Sequence, residues 1–455
     1  MADTDLMDKV VSLCKRRGFV FPGSDIYGGL ANTWDYGPMG AQLKKNISDA
    51  WWKFFVLDRD DMVGLDAAIL MNPRVWQASG HVDCFNDAMV DCKECKSRHR
   101  ADHLIEDALP EEKVEGLSVS DLDALIKKNE IKCPKCGKVD FTDARVFNLL
   151  FQTHIGPTSN DSEPVYLRGE LAQSMFVNFK NYMDTSRKKI PFGIAQIGKC
   201  FRNEITPGNF IFRTIEFDLM EFEYFVKEED WEKKFDYWLL EMKRWLAFVG
   251  IDEKRTRVRE HTEDELSHYS KRTLDIEFET PFGWKELYGL AYRTDFDLKN
   301  HMEKSGKDMR YLDPQTNERY IPHVVEPTFG LTRSVLMVLL SAYTEEEVEG
   351  DVRVVLKLQP EIAPVKVAVL PLSNKLNDDA RKVFDELKGH FASEFDVTGS
   401  IGKRYRRQDE IGTPYCVTFD FDSLEDGSVT VRDRDSMEQE RVKIEELVSY
   451  LKDKF

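Results

Sequence analysis

The sequence predicts an α+β protein built from several domains, and three observations support this prediction. The chain has 455 residues, and at about 100–200 residues per domain two to four domains are expected. Two C-x-x-C pairs mark residues 82–145 as an insertion of different composition. A proline-containing linker at residues 359–364 then separates a strand-rich middle region from a final stretch in which strands and helices alternate.

Composition and charge limit the class of protein. Hydrophobic residues make up 42% of the chain and aromatic residues 11%, which is typical of a packed globular protein and excludes a disordered or collagen-like chain. No apolar run approaches the ~18 residues of a membrane-spanning helix, and the acidic start has no secretion signal. Eight cysteines without a disulfide framework favour the cytoplasm. A net charge of −18 argues against non-specific polyanion binding but leaves a local RNA contact open.

The first 81 residues are expected to contain two helices and a strand. Apolar residues in positions 6–14 follow helical spacing, and residues 43–54 form a second, strongly amphipathic helix. The apolar face of this second helix is expected to be exposed, which would permit dimer contact. A strand then runs as far as Pro73, where proline ends regular pairing.

The insertion at residues 82–145 carries its two C-x-x-C pairs on either side of an acidic, helix-forming stretch. Four thiolates complete the tetrahedral shell of a zinc ion and leave no open position, so such a site would be structural. Four reduced surface cysteines are the alternative. The expected ligands are Cys92, Cys95, Cys133 and Cys136, with His99 and His103 as substitutes.

The most informative motif lies in residues 146–358. An F-R-N-E segment at 201–204 is followed by a proline–glycine turn at 207–208 and by F-R at 212–213. This order predicts a hairpin that places Arg202 and Arg213 on either side of one site. The planar fork of arginine matches phosphate oxygens, so the pair suits a phosphoryl group. An ion pair between strands is the alternative for so short a motif.

A second element far downstream strengthens the prediction of a phosphate site. Gly330 and Arg333 lead into an apolar helix over residues 334–342, where the helix dipole also favours an anion. Gly330 allows close approach of the backbone. The sequence contains neither a P-loop nor a G-x-G-x-x-G pattern, so no other nucleotide-binding motif competes with this one.

The final region, residues 362–455, is expected to be a small α/β domain with a parallel or mixed sheet. It contains the densest basic cluster of the chain, K-R-Y-R-R at residues 403–407. Positive charges with an interleaved aromatic ring are typical of an RNA contact, and a solvated basic turn is the alternative.

These motifs resemble those of class II aminoacyl-tRNA synthetases. The F-R-N-E hairpin is similar to motif 2, the G-L-T-R helix to motif 3, and residues 43–73 to motif 1, the dimer element. The resemblance therefore implies that residues 1–81 form the N-terminal part of the catalytic domain. Further segments look like the short, homodimeric form of glycyl-tRNA synthetase: W-D-Y-G-P-M-G at 34–40, N-P-R-V-W-Q-A-S-G-H at 72–81 and V-E-P at 325–327. The resemblance covers nearly the whole chain and includes a C-terminal domain similar to the class IIa anticodon-binding domain.

The resemblance implies a class II antiparallel catalytic sheet flanked by helices, and a ligase that uses ATP and Mg²⁺ to make glycyl-adenylate and transfer glycine to tRNA(Gly). Arg202 would contact the α-phosphate, Arg213 and Arg333 the γ-phosphate, and Phe217 the adenine ring, while Glu286 could hold Mg²⁺ or ribose. The expected catalytic residues are Arg202, Glu204, Arg213 and Arg333. The remaining ATP-binding residues would be Asn203, Phe212, Phe217, Glu286, Leu287 and Gly330.

The glycine pocket follows from the chemistry of an ammonium group, whose three donors can be satisfied by converging carboxylates. Rejection of larger amino acids would be steric, because a filled pocket leaves no room for a β-carbon. Glu223 lies two residues after Glu221 on a strand and points the same way, so either could be the ligand. The positions that match glycine contacts are Arg100, Glu170, Phe217, Glu221, Glu326, Thr328 and Gly330.

The chain departs from the usual family sequence at several positions close to this pocket. Two other functions therefore stay open: a synthetase-like accessory protein, and a class IIa synthetase for another small amino acid. The departures are Gly169, Leu171, Ser174, Ile215, Lys285, Tyr292 and Thr328.

Overall fold

The computed structural model describes residues 2–114, 116–156, 164–205, 208–348 and 350–455, and a seven-stranded sheet lies at its centre. In chain order the strands are β1 (Met62–Gly64), β2 (Phe192–Phe201), β3 (Glu216–Val226), β4 (Thr256–Glu260), β5 (Arg272–Thr280), β6 (Gly283–Thr294) and β7 (His323–Gly330). The spatial order is β4-β5-β6-β7-β3-β2-β1, and all neighbouring pairs are antiparallel except β1 with β2. The sheet confirms the fold class that the sequence predicts.

Strand β3 shows how the sheet acquires one aromatic and one acidic face. Side chains alternate along a strand, so neighbouring residues point to opposite faces. Phe222 and Tyr224 are fully buried, and their rings pack against Trp238. Glu221 and Glu223 are therefore directed to the other face of the sheet, which is where the candidate active site lies.

Helices cover both faces of the sheet. The aromatic face packs against Ala2–Arg17, Pro38–Trp52, Trp231–Phe248 and Leu331–Ala342, and the other face is flanked by Ala172–Ser186 and Phe296–Ser305. Leu43, Ile47 and Trp51 are fully buried in this core, where the Trp51 ring contacts Phe222 and Phe329. The prediction of an exposed apolar face on residues 43–54 is therefore wrong, because the helix turns that face towards its own sheet.

The segment around Pro73 also differs from the predicted strand. β1 ends at Gly64, and Pro73 begins the helix Pro73–Ala78. The side-chain oxygen of Asn72 accepts a hydrogen bond from the backbone N–H of Arg74 at 3.0 Å and caps the helix. Proline suits the first helical position because its missing N–H would have no partner there.

The cysteine-containing insertion has a hydrophobic core of its own, which includes Val90, Leu104 and Ile126. Its strands are Asn86–Asp91, Arg98–Arg100 and Arg145–Asn148, and its helices are Ala101–Ala108 and Val119–Lys128. The third strand continues past residue 145, so the predicted end of the insertion falls inside a strand.

The last ninety residues form a mixed sheet with helices packed on it. The strands are Val367–Pro371, Ser393–Phe395, Tyr415–Phe419, Ser428–Asp433 and Gln439–Lys443, and the helices are Asn377–Leu387, Ile401–Ile411, Ser423–Asp426 and Leu447–Lys452. The first strand is parallel to the second and third, and the other pairs are antiparallel.

The basic cluster at residues 403–407 lies on the helix Ile401–Ile411 and is only partly available to RNA. Arg404 is buried and donates to the carbonyl oxygen of Gly399 at 2.9 Å, and Arg407 donates to the Asp396 carboxylate. The prediction of an RNA contact is therefore wrong for Arg404, whose guanidinium is used inside the domain, while Lys403 stays exposed.

Short elements complete the structure, and no helix in the described ranges is long and apolar enough to cross a bilayer. A short helix spans His81–Cys84. The small antiparallel pairs are Val20–Pro22 with Trp34–Tyr36, Gln152–Thr153 with Val165–Tyr166, Tyr311–Leu312 with Arg319–Tyr320, and Tyr343–Val348 with Asp351–Leu356.

Gly40 marks a close approach between the helix Pro38–Trp52 and the preceding turn. A Cβ at this position would lie 1.9 Å from the backbone oxygen of Phe19, so Gly40→Ala must displace backbone. We expect Gly40→Ala to lower the free energy of unfolding by about 1–3 kcal/mol, which would be measured as a lower thermal unfolding midpoint. Gly402→Ala is the matched control, because a Cβ there meets nothing within 4 Å. Equal midpoints for the two variants would contradict this packing.

Candidate active site

A cavity of about 260 Å³ opens on the acidic face of the central sheet, and it brings together most of the predicted site residues. Its walls come from β3, β5, β6 and β7 and from the loop between β2 and β3. The predicted residues that line it are Glu170, Arg202, Glu204, Phe212, Arg213, Phe217, Glu221, Glu286, Leu287, Glu326, Thr328, Gly330 and Arg333. Residues from distant parts of the sequence thus share one concave site.

Arg202 lies between two aromatic rings at one side of the cavity. Its guanidinium carbon is 5.4 Å from the ring centre of Phe217 and 5.2 Å from that of Phe85. Its Nε donates to the carbonyl oxygen of Gly169 at 3.2 Å. The guanidinium is thereby fixed in orientation, which suits recognition of a phosphate by a planar fork.

The two other predicted arginines are paired with carboxylates. Nε of Arg213 lies 2.8 Å from an oxygen of Glu204, and Nη1 of Arg333 lies 3.1 Å from an oxygen of Glu286. Arg333 also stacks on Phe212, 4.6 Å from the ring centre. Its positive charge lowers the pKa of Glu286 below the usual range, so this carboxylate is ionised at neutral pH.

Three sequence predictions fall outside the cavity lining. Asn203 contributes a backbone N–H that donates to the Leu149 carbonyl at 2.8 Å, and Arg100 pairs with Asp87 and Asp102 in the insertion. Pro207, in the predicted turn between the strands, lies outside the described residues.

The inner end of the cavity is lined by buried carboxylates. Glu221 accepts from Thr328 Oγ1 at 2.8 Å and from the backbone N–H of Leu171 at 3.1 Å. Glu170 accepts from Gln173 Nε2 at 2.9 Å, and its other oxygen lies 3.2 Å from His81 Nε2. These contacts hold the carboxylates in place and leave part of their acceptor capacity for a ligand.

Arg293 is the main partner of this acidic group, and its role was missed from the sequence. Its guanidinium is 1% exposed; Nη1 donates to both oxygens of Glu326 at 2.9 and 3.1 Å, and Nε donates to Asp297 at 2.8 Å. The ring of Tyr269 covers it at 3.8 Å. The sequence around Arg293 has no motif that would indicate these partners.

The surroundings shift the pKa values of the three pocket carboxyl groups in different directions. Burial alone would raise the pKa of Glu170, but His81 and Arg293 outweigh burial and lower it. Burial, followed by repulsion from Glu170, raises the pKa of Glu221. Burial also raises the pKa of Glu326 to about 8, although Arg293 opposes this shift. Such divergent pKa values are typical of functional sites.

Sequence reasoning also missed a histidine–aspartate pair, which lies at the side of the cavity next to β4 and β5. Nε2 of His261 lies 2.8 Å from a carboxylate oxygen of Asp275, and both residues line the cavity. Burial and the nearby charge of Glu286 raise the pKa of Asp275 to about 6. No sequence motif joined these two residues, which are separated by a strand connection.

The departures from the family sequence can now be placed. The buried ring of Tyr292 stacks on Trp231 at 3.9 Å, on the sheet face opposite to Arg293. Leu171 contributes only its backbone N–H to the site, and Thr328 keeps the hydroxyl that bonds Glu221. These positions preserve the polar contacts of the cavity.

The four predicted cysteines converge inside the insertion. Their sulfur atoms all lie within 4.8 Å of one another, including 3.5 Å between Cys92 and Cys136 and 3.7 Å between Cys95 and Cys133. A hydrogen bond from Ser97 lowers the pKa of Cys95 to about 6, which favours its thiolate. The donor set and its compactness fit a tetrahedral zinc site.

The antiparallel sheet, with three arginines from motifs 2 and 3 around one cavity, defines a class II aminoacyl-tRNA synthetase. Comparison with known families agrees, because the tRNA synthetase class II core domain (G, H, P, S and T) matches residues 152–343. The Anticodon binding domain family matches residues 366–454.

Curated relatives narrow the family further. The chain is 59% identical to the glycine–tRNA ligase of Geobacillus thermodenitrificans over 450 residues, which covers 98% of this chain and 97% of that protein. It is 58% identical to the glycine–tRNA ligase of Bacillus anthracis, and the match covers 98% of this chain and 99% of that protein. It is also 58% identical to the glycine–tRNA ligase of Clostridium acetobutylicum, and this match covers the full length of both proteins. The chain belongs to the glycine–tRNA ligase family.

Proposed function

We propose that this chain activates glycine with ATP and joins it to tRNA(Gly), and that the cavity on the acidic face of the sheet is the site of activation. The convergence of Arg202, Arg213 and Arg333 on this one cavity is the observation that supports the proposal most directly. Guanidinium groups placed around a triphosphate stabilise the charge that develops as the carboxylate attacks and pyrophosphate leaves.

In this proposal the arginines act on different parts of ATP. Arg202 contacts the α-phosphate, with the adenine ring against Phe217, and Arg213 and Arg333 contact the γ-phosphate. Glu204 and Glu286 pair with Arg213 and Arg333 and keep their guanidinium groups oriented. Mg²⁺ would be held in part by Glu286, whose side chain is half exposed, and would supply further charge neutralisation on the phosphates.

Glycine is proposed to bind with its ammonium group among Glu170, Glu221 and Glu326. All three carboxyl groups line the inner end of the cavity, and Thr328 holds Glu221 in position. An ammonium group there finds acceptors for its three donors. Rejection of larger amino acids is proposed to be steric, because a β-carbon beside these buried carboxyl groups would have to displace them.

We assign tRNA binding and dimerisation to other parts of the chain. The anticodon end of tRNA is proposed to contact the C-terminal domain, with Lys403 as an exposed cation on its basic helix. We also propose a homodimer, whose contact surface is not the buried helix face. A different apolar surface in the same N-terminal region is proposed instead, formed by the exposed side chains of Ile26, Tyr27 and Leu30.

The zinc site is proposed to be structural, because four thiolates leave the metal no position for a substrate. None of the eight cysteines forms a disulfide, which agrees with a reducing, cytoplasmic setting. His99 is a neighbour of the proposed site and not one of its four ligands: its Nε2 lies 3.5 Å from the Cys133 sulfur and 2.7 Å from Ser97 Oγ.

Pyrophosphate exchange into ATP tests the activation step. The wild-type chain should support exchange with glycine and not with alanine or serine. Arg202→Ala should reduce glycine-dependent exchange by about 10²–10³-fold, because a charge-stabilising donor is lost. Arg319→Ala, on an exposed hairpin, is the control and should exchange normally.

The same assay separates the alternative functions. Exchange with no amino acid would favour an accessory protein, and exchange with serine would favour another specificity. Near-normal exchange by Arg202→Ala would contradict the assignment of the cavity to ATP.

Glu221→Gln should raise the glycine KM by about ten- to a hundredfold, because a charged acceptor for the ammonium group is lost. The ATP KM should stay nearly unchanged. Glu216→Gln is the matched control, since Glu216 is exposed on the same strand. An equal rise in both KM values for Glu221→Gln would exclude a dedicated role in ammonium binding.

Metal analysis tests the cysteine site. Purified protein should contain about one zinc per chain, and Cys133→Ser should lower the content to less than half and reduce the unfolding midpoint. Cys84→Ser, a change at an exposed cysteine outside the cluster, should keep both values. A wild-type protein without zinc would reject the site.

A further inference from the structure

Glu223 is a buried carboxyl group that the proposed roles leave unexplained. It is 0% exposed, and neither of its carboxylate oxygens has a hydrogen-bond partner among the described residues. It does not line the cavity but lies behind Glu221 on the same face of β3. A fully buried carboxylate without a donor is strongly unfavourable, so its charge state needs a physical account.

The register of the sheet places a second glutamate directly opposite. Glu221 pairs with Thr328 and Tyr224 with Val325, so Glu223 faces Glu326 across the β3–β7 pair. Oxygen atoms of Glu221, Glu223 and Glu326 all lie within 4.8 Å of one another. Like charges opposite each other on neighbouring strands repel, and two carboxylates in one site do not both ionise easily.

Positive charge nearby is already committed to other groups. Arg293 is the cation that faces Glu223 from β6, and its hydrogen bonds go to Asp297 and Glu326. Asp297, on the helix Phe296–Ser305, adds another negative charge to the surroundings. Burial and the adjacent Glu326 therefore raise the pKa of Glu223 well above its ordinary value.

We propose that Glu223 carries a proton in the free enzyme and releases it when the ammonium group of glycine binds among the neighbouring carboxylates, so that the site exchanges one monovalent cation for another. The inference rests on the proposed glycine site. Before binding, the proton on Glu223 removes one negative charge from a group of carboxyl oxygens that lie within 4.8 Å of one another. On binding, the ammonium group brings in a positive charge, the Glu223 O–H bond breaks, and the proton passes to solvent.

Charge balance explains why the exchange occurs at this place. An ammonium group within several ångströms of Glu223 stabilises its ionised form and lowers its pKa. Before glycine binds, the proton on Glu223 keeps an additional negative charge out of the pocket. When the pocket holds the ammonium group, Glu223 is ionised and its negative charge balances that cation. Glu223 is thus a positioning residue that adjusts the charge of the pocket and does not touch the substrate.

The sign of the pH dependence follows. At a pH below the raised pKa of the free enzyme, binding must expel a proton, so affinity for the ammonium ligand rises with pH by up to about tenfold per unit. Above that pKa the proton is already absent and the dependence disappears. A ligand without an ammonium group releases no proton through this exchange.

The experiment is titration calorimetry of the full-length wild-type protein at pH 7 in buffers of different ionisation enthalpy, which counts released protons. The probe is 5′-O-(glycylsulfamoyl)adenosine, and the matched ligand is 5′-O-(acetylsulfamoyl)adenosine, which has a methyl group in place of the aminomethyl group. We expect about one proton released with the first ligand and none with the second.

Two variants assign the proton. Glu223→Gln and Glu223→Met should both release less than half of the wild-type amount and show a flatter dependence of affinity on pH. The second variant covers the case in which the first does not fold. Glu279→Gln, an exposed glutamate on β5, should behave like the wild type.

Failure of this inference can be told apart from failure of the proposed function. Tight binding of the glycyl ligand without proton release, or with unchanged release in both Glu223 variants, would overturn the proton exchange and leave the glycine site standing. If the glycyl ligand bound no more tightly than the acetyl ligand, the ammonium pocket itself would be rejected and the exchange with it.

Discussion

A single buried guanidinium among several buried carboxyl groups is the interaction on which the candidate site depends. Arg293 donates to Asp297 and Glu326, and its Nη2 lies 3.8 Å from Glu170. One positive charge does not balance this many acids, which supports the proposal that the pocket binds an ammonium group. A buried ion of this kind is costly unless its partners are fixed, which explains why rings and strands enclose Arg293 on all sides.

The antiparallel sheet makes this arrangement possible by its alternation of faces. Residues two apart on β3 and β6 point to the acidic side, and their immediate neighbours are packed in the aromatic core. The arginines proposed to bind the phosphates come instead from the connection after β2 and from the helix that follows β7. In the proposed assignment, the positive charge for the nucleotide and the negative charge for the ammonium group lie in one cavity but come from separate elements.

Sequence reasoning predicted site residues whose side-chain type carries a chemical signal, and it missed those whose partners are brought together only by the fold. Arg202, Arg213 and Arg333 stand in short motifs whose side-chain type already indicates phosphate, and the four cysteines have a spacing with few other uses. Arg293 and His261 have no such motif, because their partners come from other strands. The helix at residues 43–54 shows a further limit: an amphipathic pattern predicts an apolar face but does not say whether the chain itself or a second subunit covers it.

The alternation of side chains between the two faces of the sheet also explains why the residues that depart from the family sequence need not change the chemistry of the pocket. Tyr292 departs from the family pattern, yet its ring lies against Trp231 because position 292 faces the aromatic core. Position 293 faces the acidic side, where Arg293 donates to Glu326. Leu171 also departs from that pattern, but the atom that contacts Glu221 is a backbone N–H, which any residue other than proline provides. The polar contacts of the proposed glycine pocket thus depend on strand register and backbone position, which the departures at Tyr292 and Leu171 leave in place.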